Sequence, residues 1–281
     1  MESPRVDGEL SLREVQLVTL AILKKIETIC KEEYIRWWVM YGTLIGAVRH
    51  HGFIPWDDDL DIAMPRPDYE RFLAYFKDHP DEVRPLTVLS GNGERRLPIL
   101  ITRVSDTTYR MVGEYGDEVP ELGAFVDVYP IDGCGDTKEE AEAQRKLCRN
   151  ELLKFDKACN FTPRPMRHGL KWQMKRVRAG IMGNPAKYAE RLHDLAVQHR
   201  YDNSTFVSCL VWENDLCWRR VLEDTLIPTS FEDMSVPIPT GYDAILRLKY
   251  GDYMTLPPEE ERVGHHFYAI IRRDSKEDDA R

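Results

Sequence analysis

The chain has 281 residues, 42% hydrophobic and 31% charged, with a net charge of −9 at pH 7. These values describe an ordinary globular protein with one large core or two modest ones, and no apolar run approaches the ~20 residues a membrane-spanning helix needs. The acidic balance argues against nucleic acid as main partner, since a phosphate backbone calls for a basic surface.

The polar, acidic start at residues 1–9 has no apolar segment of a secretory signal, so the expectation is a cytoplasmic protein. A helix is expected to open at Ser11. Ser11-Leu12-Arg13-Glu14 has the form of a capping box, and Leu12, Val15, Val18, Ile22, Ile26 and Ile29 recur on one face. The apolar run 37–41 reads as a strand that meets a turn at Gly42-Thr43. Residues 43–50 then read as one or two helical turns ending near Gly52, and amides at such a helix start would face an anionic phosphate.

Next comes Trp56-Asp57-Asp58-Asp59-Leu60-Asp61-Ile62. On an extended segment Asp59 and Asp61 share a face, while Leu60 and Ile62 turn to the core. Carboxylates that close repel, and an oxygen-seeking divalent ion such as Mg²⁺ relieves the repulsion, taking its remaining ligands from water and substrate phosphates.

Pro65-Arg66-Pro67 breaks the chain, and Asp68 is expected to cap a helix through Phe76. Short strands are expected at 86–89, 97–104 and 107–112. A further strand at 124–129 places Asp127 between Val126 and Val128, a costly position unless a metal, a partner or a raised pKa compensates. Asp132, after Pro130, reads as a turn residue.

From Asp136 the sequence turns helical, with a cap at Thr137 and a helix towards Phe155. The basic stretch 164–182 reads either as a surface helix with a solvated face or as a helix lying on an anionic membrane surface. Asn184-Pro185 opens another helix, 206–212 looks extended, 218–222 is strand or loop edge, 243–250 is helical, and 272–281 is a charged, disordered tail. Six cysteines fall in no Cys-x-x-Cys pair, so neither a zinc site nor a disulfide framework is suggested, and the thiols are expected to be reduced and mostly buried.

The run from Tyr41 to Ile62 resembles the signature of the LicD family, which is related to the fukutin-type sugar phosphotransferases and belongs to the nucleotidyltransferase fold superfamily. Residues 125–132 resemble its second motif. Residues 236–239 and 250–254, Pro257-Pro258 and His265 resemble its C-terminal one. The resemblance implies an α/β (α+β) fold in a single domain: a nucleotidyltransferase-like mixed sheet flanked by helices over about 10–135, with a mainly helical elaboration over about 136–270 completing the site.

It also implies Asp59, Asp61 and Asp127 as catalytic residues and ligands of Mg²⁺ or Mn²⁺, with Asp127 taking the proton of an attacking hydroxyl. Gly42, Thr43, Arg49, Lys249, Arg262 and His265 are the candidates for phosphate contacts. The implied reaction is transfer of phosphocholine from CDP-choline to a sugar hydroxyl of a cell-surface glycan precursor of teichoic acid, lipopolysaccharide or capsule type, at the inner face of the membrane if 164–182 touches it. Two alternatives stand beside it: another CDP-activated group, such as glycerol or ribitol phosphate, or nucleotidyl transfer; and a catalytically inactive binding module. A choline head group would seek aromatic faces, for which Tyr41, Trp56, Trp212, Trp218, Tyr250 and Tyr253 are available.

Overall fold

A computed structural model describes residues 8–90, 99–112, 119, 121–159, 183–212, 216–264 and 268–273. The basic stretch 164–182, His265 and the tail beyond residue 273 lie outside them. The chain forms two compact units with interleaved segments. One holds Met1–Leu89, Arg103–Tyr129 and Val221–Arg281, the other Ser90–Thr102 and Pro130–Arg220. The chain returns to the first unit after residue 220.

In the first unit, α1 (Leu12–Glu32) opens at the expected capping box. The Ser11 side chain accepts from the Glu14 amide, and the Glu14 carboxylate accepts from the Ser11 amide at 2.8 Å. Its buried stripe runs through Val15, Leu20, Ile22, Leu23, Ile26 and Ile29, whereas Leu12 is exposed because it precedes the part of the helix that meets the core. Strand β1 (Trp38–Val39) leads into α2 (Tyr41–Ile45), which continues as a π-helical turn, Gly46–His50. The helix therefore starts two residues before Thr43, at a Tyr41 with φ of 48°.

β2 (Asp61–Pro65) pairs antiparallel with β1, Val39 opposite Ile62. Asp59 lies just before this strand and not on it. In α3 (Arg66–Asp78) the N-cap is Pro65, and Asp68 sits inside the first turn. Asp68 does not cap, because Arg36 and Arg71 engage its two oxygens at 3.0 and 3.2 Å. β3 (Leu86–Ser90), β4 (Thr102–Asp106), β5 (Tyr109–Val112) and β6 (Ala124–Gly133) follow. The main sheet has the order β1-β2-β6-β4-β3, which sets the two acidic strands side by side at its centre.

In the second unit, α4 (Lys138–Cys159) packs on α5 (Pro185–Ala196), and each starts at the expected cap, Thr137 and Asn184. The far end of β6 pairs with β7 (Phe206–Ser208), which pairs with β8 (Trp218–Arg219). With a partner strand available, β6 continues past Pro130, so Asp132 is a buried strand residue opposite Ser208 and not a turn.

The chain then returns to the first unit. β9 (Leu226–Phe231) and β10 (Met234–Pro239) form a hairpin, α6 (Tyr242–Tyr250) packs on α2, and β11 (Ala269–Arg272) pairs with β5. The α/β architecture expected from the sequence is the one that forms, with the elaboration carrying these strands besides its helices. All six cysteines are free thiols, five buried and Cys217 half-buried. Among the described residues no helix is long and apolar enough to cross a membrane.

Candidate active site

Neighbouring strands deliver the acids. Asp61 opens β2 and Asp127 lies in β6, where its amide donates to the Leu60 carbonyl at 2.9 Å. On the other side the Met40 amide donates to the Asp61 carbonyl at 2.9 Å, and the Asp61 amide donates to the Thr43 hydroxyl at 2.8 Å. Thr43 is buried, so its observed role is to fix the backbone of Asp61. The loop before β2 is anchored at Asp57, whose carbonyl accepts from Gln16 of α1 at 2.9 Å. A Cβ on Gly42 would stand 2.8 Å from Asp57 Oδ2; a bare backbone at 42 is what lets that carboxylate come close.

Asp61 is 5% exposed. Burial first, then Asp59, Asp127 and Asp57, hold its carboxyl well above the usual carboxylate range, and a hydrogen bond with the Tyr129 side chain offsets this in part. Its Oδ1 is buried with no hydrogen-bond partner. Burial, then Asp61 and Asp127, push the Tyr129 phenol up in turn. The Tyr41 ring meets Tyr129 edge-on at 4.9 Å, and Lys249, carried by α6, sets its ammonium 4.9 Å from the Tyr41 ring and 5.8 Å from that of Tyr250.

Asp127 has an unforeseen partner. Arg103 of β4 donates from Nε to Asp127 Oδ1 at 2.9 Å, with the two residues 3% and 5% exposed. The guanidinium lies 4.0 Å from the Phe125 ring, which in turn meets Tyr268 at 5.9 Å.

The remaining cations gather at the Trp56 end of the loop. Arg49, on the π-helical turn, donates to the Tyr253 carbonyl and to His50 Nε2. Arg262 donates to the Pro257 carbonyl at 2.9 Å and stands 5.7 Å from the Trp56 ring, which also meets His50 edge-on. The structure thus brings Lys249 to the Tyr41 side and holds Arg49 and Arg262 in contacts around Trp56. Of the aromatics offered for choline, Tyr41 and Tyr250 meet at Lys249, and Tyr253 is buried with its hydroxyl on Asp243. Trp212 and Trp218 belong to the second unit.

The acids suit a hard divalent cation in one respect and limit it in another. A buried carboxylate oxygen without a donor, among like charges, is what such an ion would satisfy. Among the described residues, however, no three His, Cys, Asp or Glu side chains form a closed ligand group. An Mg²⁺-type ion needs fewer, since it usually takes one or two carboxylates and completes its shell with water and substrate phosphates.

Comparison with known proteins bears on the same segment. Residues 34–91 match the LicD/FKTN/FKRP nucleotidyltransferase domain. Over this segment the chain is similar to the LicD family. Over 273 residues it is 27% identical to the lipopolysaccharide cholinephosphotransferase LicD of Haemophilus influenzae, a match covering 92% of this chain and 97% of that protein. Shorter matches join it to uncharacterised proteins of Rickettsia typhi, 36% identical over 28% of this chain and 27% of that one, and of Rickettsia prowazekii, 41% identical over 23% and 22%.

Three residues around the acids escaped sequence reasoning: Arg103, Tyr129 and Tyr268. A signal existed for Tyr129, two residues after Asp127 and so on its face of β6. Arg103 had a weaker one, as a lone cation between Thr102 and Val104 in an otherwise buried strand.

Proposed function

We propose that this chain is a metal-dependent transferase that moves phosphocholine from CDP-choline to a sugar hydroxyl of a lipopolysaccharide-type glycan. The chemistry rests on one observation: the buried Oδ1 of Asp61 has no donor while Asp59, Asp127 and Asp57 press on it electrostatically. The choice of phosphocholine rests on the near end-to-end likeness to the Haemophilus cholinephosphotransferase.

Asp59 and Asp61 would hold Mg²⁺ or Mn²⁺, which when bound supplies Lewis-acid polarisation and countercharge at the donor pyrophosphate. Phosphoryl transfer asks a protein mainly for positioning and charge. Thr43 fixes the backbone of Asp61, and the bare Gly42 lets Asp57 approach. Tyr129 bonds Asp61 and so orients its carboxylate. Asp127, held by Arg103, orients the acceptor hydroxyl and takes its proton as the hydroxyl attacks the choline-bearing phosphorus, the pyrophosphate P–O bond breaks and CMP leaves. Lys249 offers its ammonium to the donor phosphates from the Tyr41 side.

The test is calorimetric titration of CDP-choline, CDP-glycerol and CDP-ribitol, with and without Mg²⁺, on the wild type and Asp59→Ala. The proposal expects CDP-choline to bind best, in a manner requiring both Mg²⁺ and Asp59. Preference for another donor removes choline and keeps the metal chemistry, whereas failure of all three leaves a binding module.

A further inference from the structure

We propose that Arg103 is the built-in cation of the acidic site: it takes the place of a second divalent ion at Asp127, so that the site loads one ion per chain. The inference rests on the metal reading above and goes beyond it in fixing the number of ions.

In two-metal phosphoryl-transfer sites the ions lie roughly 3.5–4 Å apart and clamp the attacking and leaving oxygens together. A pair of ions needs carboxylate oxygens free on both sides, and here the acids are divided. Asp61 keeps a buried oxygen with no donor, whereas Asp127 Oδ1 already receives the Arg103 Nε at 2.9 Å. A guanidinium stays charged at every relevant pH and is built for carboxylate geometry. Arg103 is also fixed in place. It belongs to β4, the sheet neighbour of β6, is 3% exposed, and lies 4.0 Å from the Phe125 ring.

Arg103 shares an electrostatic neighbourhood with Asp58, Asp59 and Asp127. The half-buried Tyr268 phenol lies within electrostatic reach of Asp58, Asp59, Arg103 and Asp127 together. A buried cation so placed is costly unless a carboxylate meets it, and the pair answers that need without any ion from solution.

The experiment counts manganese. Crystals of the full chain, wild type and Arg103→Met, are soaked in Mn²⁺ with CDP-choline, and anomalous peaks at the acidic site are counted. One peak per chain in the wild type and two in Arg103→Met is the expected result. Two peaks in the wild type overturn the role given to Arg103, as does a folded Arg103→Met that still shows one. Should that variant fail to fold, the wild-type count decides alone. No peak in the wild type removes the metal reading itself, an outcome distinct from two.

Discussion

A proton on Asp61 links the site to stability. Its carboxyl is held above the ordinary 3.8, first by burial and then by Asp59, Asp127 and Asp57. The folded chain therefore keeps a proton that the unfolded chain releases near pH 4. The stabilisation that proton brings is complete below that pH and is lost as pH rises through the folded value. Asp61→Asn removes the titration and the buried charge, so the metal-free variant should be more stable than the wild type at neutral pH by about 1–3 kcal/mol. Thermal melts between pH 4 and pH 8 check this, because the gap must widen as pH rises; a constant or reversed gap refutes it. Gly42→Ala tests the loop instead. The new methyl meets the end of the Asp57 side chain, which can swing away, so stability should change by less than about 1 kcal/mol. CDP-choline affinity should fall about tenfold, equivalent to about 1.4 kcal/mol, and wild-type affinity on titration would exclude a role for that close approach. At this scale the closeness of Asp59 to Asp61 was legible from their spacing, although Asp59 lies before β2 and not on it. Arg103 was barely so, because its partner is 24 residues away on another strand.

The hairpin of β9 and β10 braces the segment that precedes the acids. At its tip the Glu232 amide donates to the His51 carbonyl at 2.8 Å, and the Glu232 carboxylate accepts from the Phe53 amide at 3.2 Å and from Arg13 of α1 at 2.6 Å. Glu232 and His51 both hold left-handed backbones, with φ of 54° and 56°. Glu232→Ala removes the carboxylate and should cost about 1–2 kcal/mol, mostly through the Phe53 amide, since the Arg13 side chain is half exposed. Glu232→Gly loses the same bonds but accepts the left-handed backbone, and should recover about 1 kcal/mol of that loss. Denaturant melts of the pair decide it: a glycine variant no more stable than the alanine one shows that the backbone carries no strain. Helices were well read where a cap and a stripe coincide, as at Ser11 and Thr137. The start of α2 was displaced because a left-handed tyrosine, not the glycine after it, makes the turn.

At the scale of the whole molecule, the 34–91 segment that matches the LicD family is only part of what builds the site. It holds β1, α2, β2, α3 and β3, yet in the sheet β6 and β4 stand between β2 and β3, and α1 anchors the acidic loop from outside the segment. Composition gave no warning of this, since nothing in residues 221–281 marks them as returning to the first unit. Two truncations follow from the topology. A fragment of residues 34–91 keeps only the short β1-β2 ribbon, and a two-stranded ribbon is marginal in water. A chain ending at residue 220 keeps the acids but loses β11, the partner of β5, together with Glu232 and the α6 that carries Lys249. The fragment should show collapsed amide dispersion and no cooperative melt, and the shortened chain should lose CDP-choline binding even where helical signal persists. A cooperative melt from residues 34–91 would mean that β1, β2 and α3 need neither α1 nor β6, and that the sheet order is not what stabilises the acidic loop.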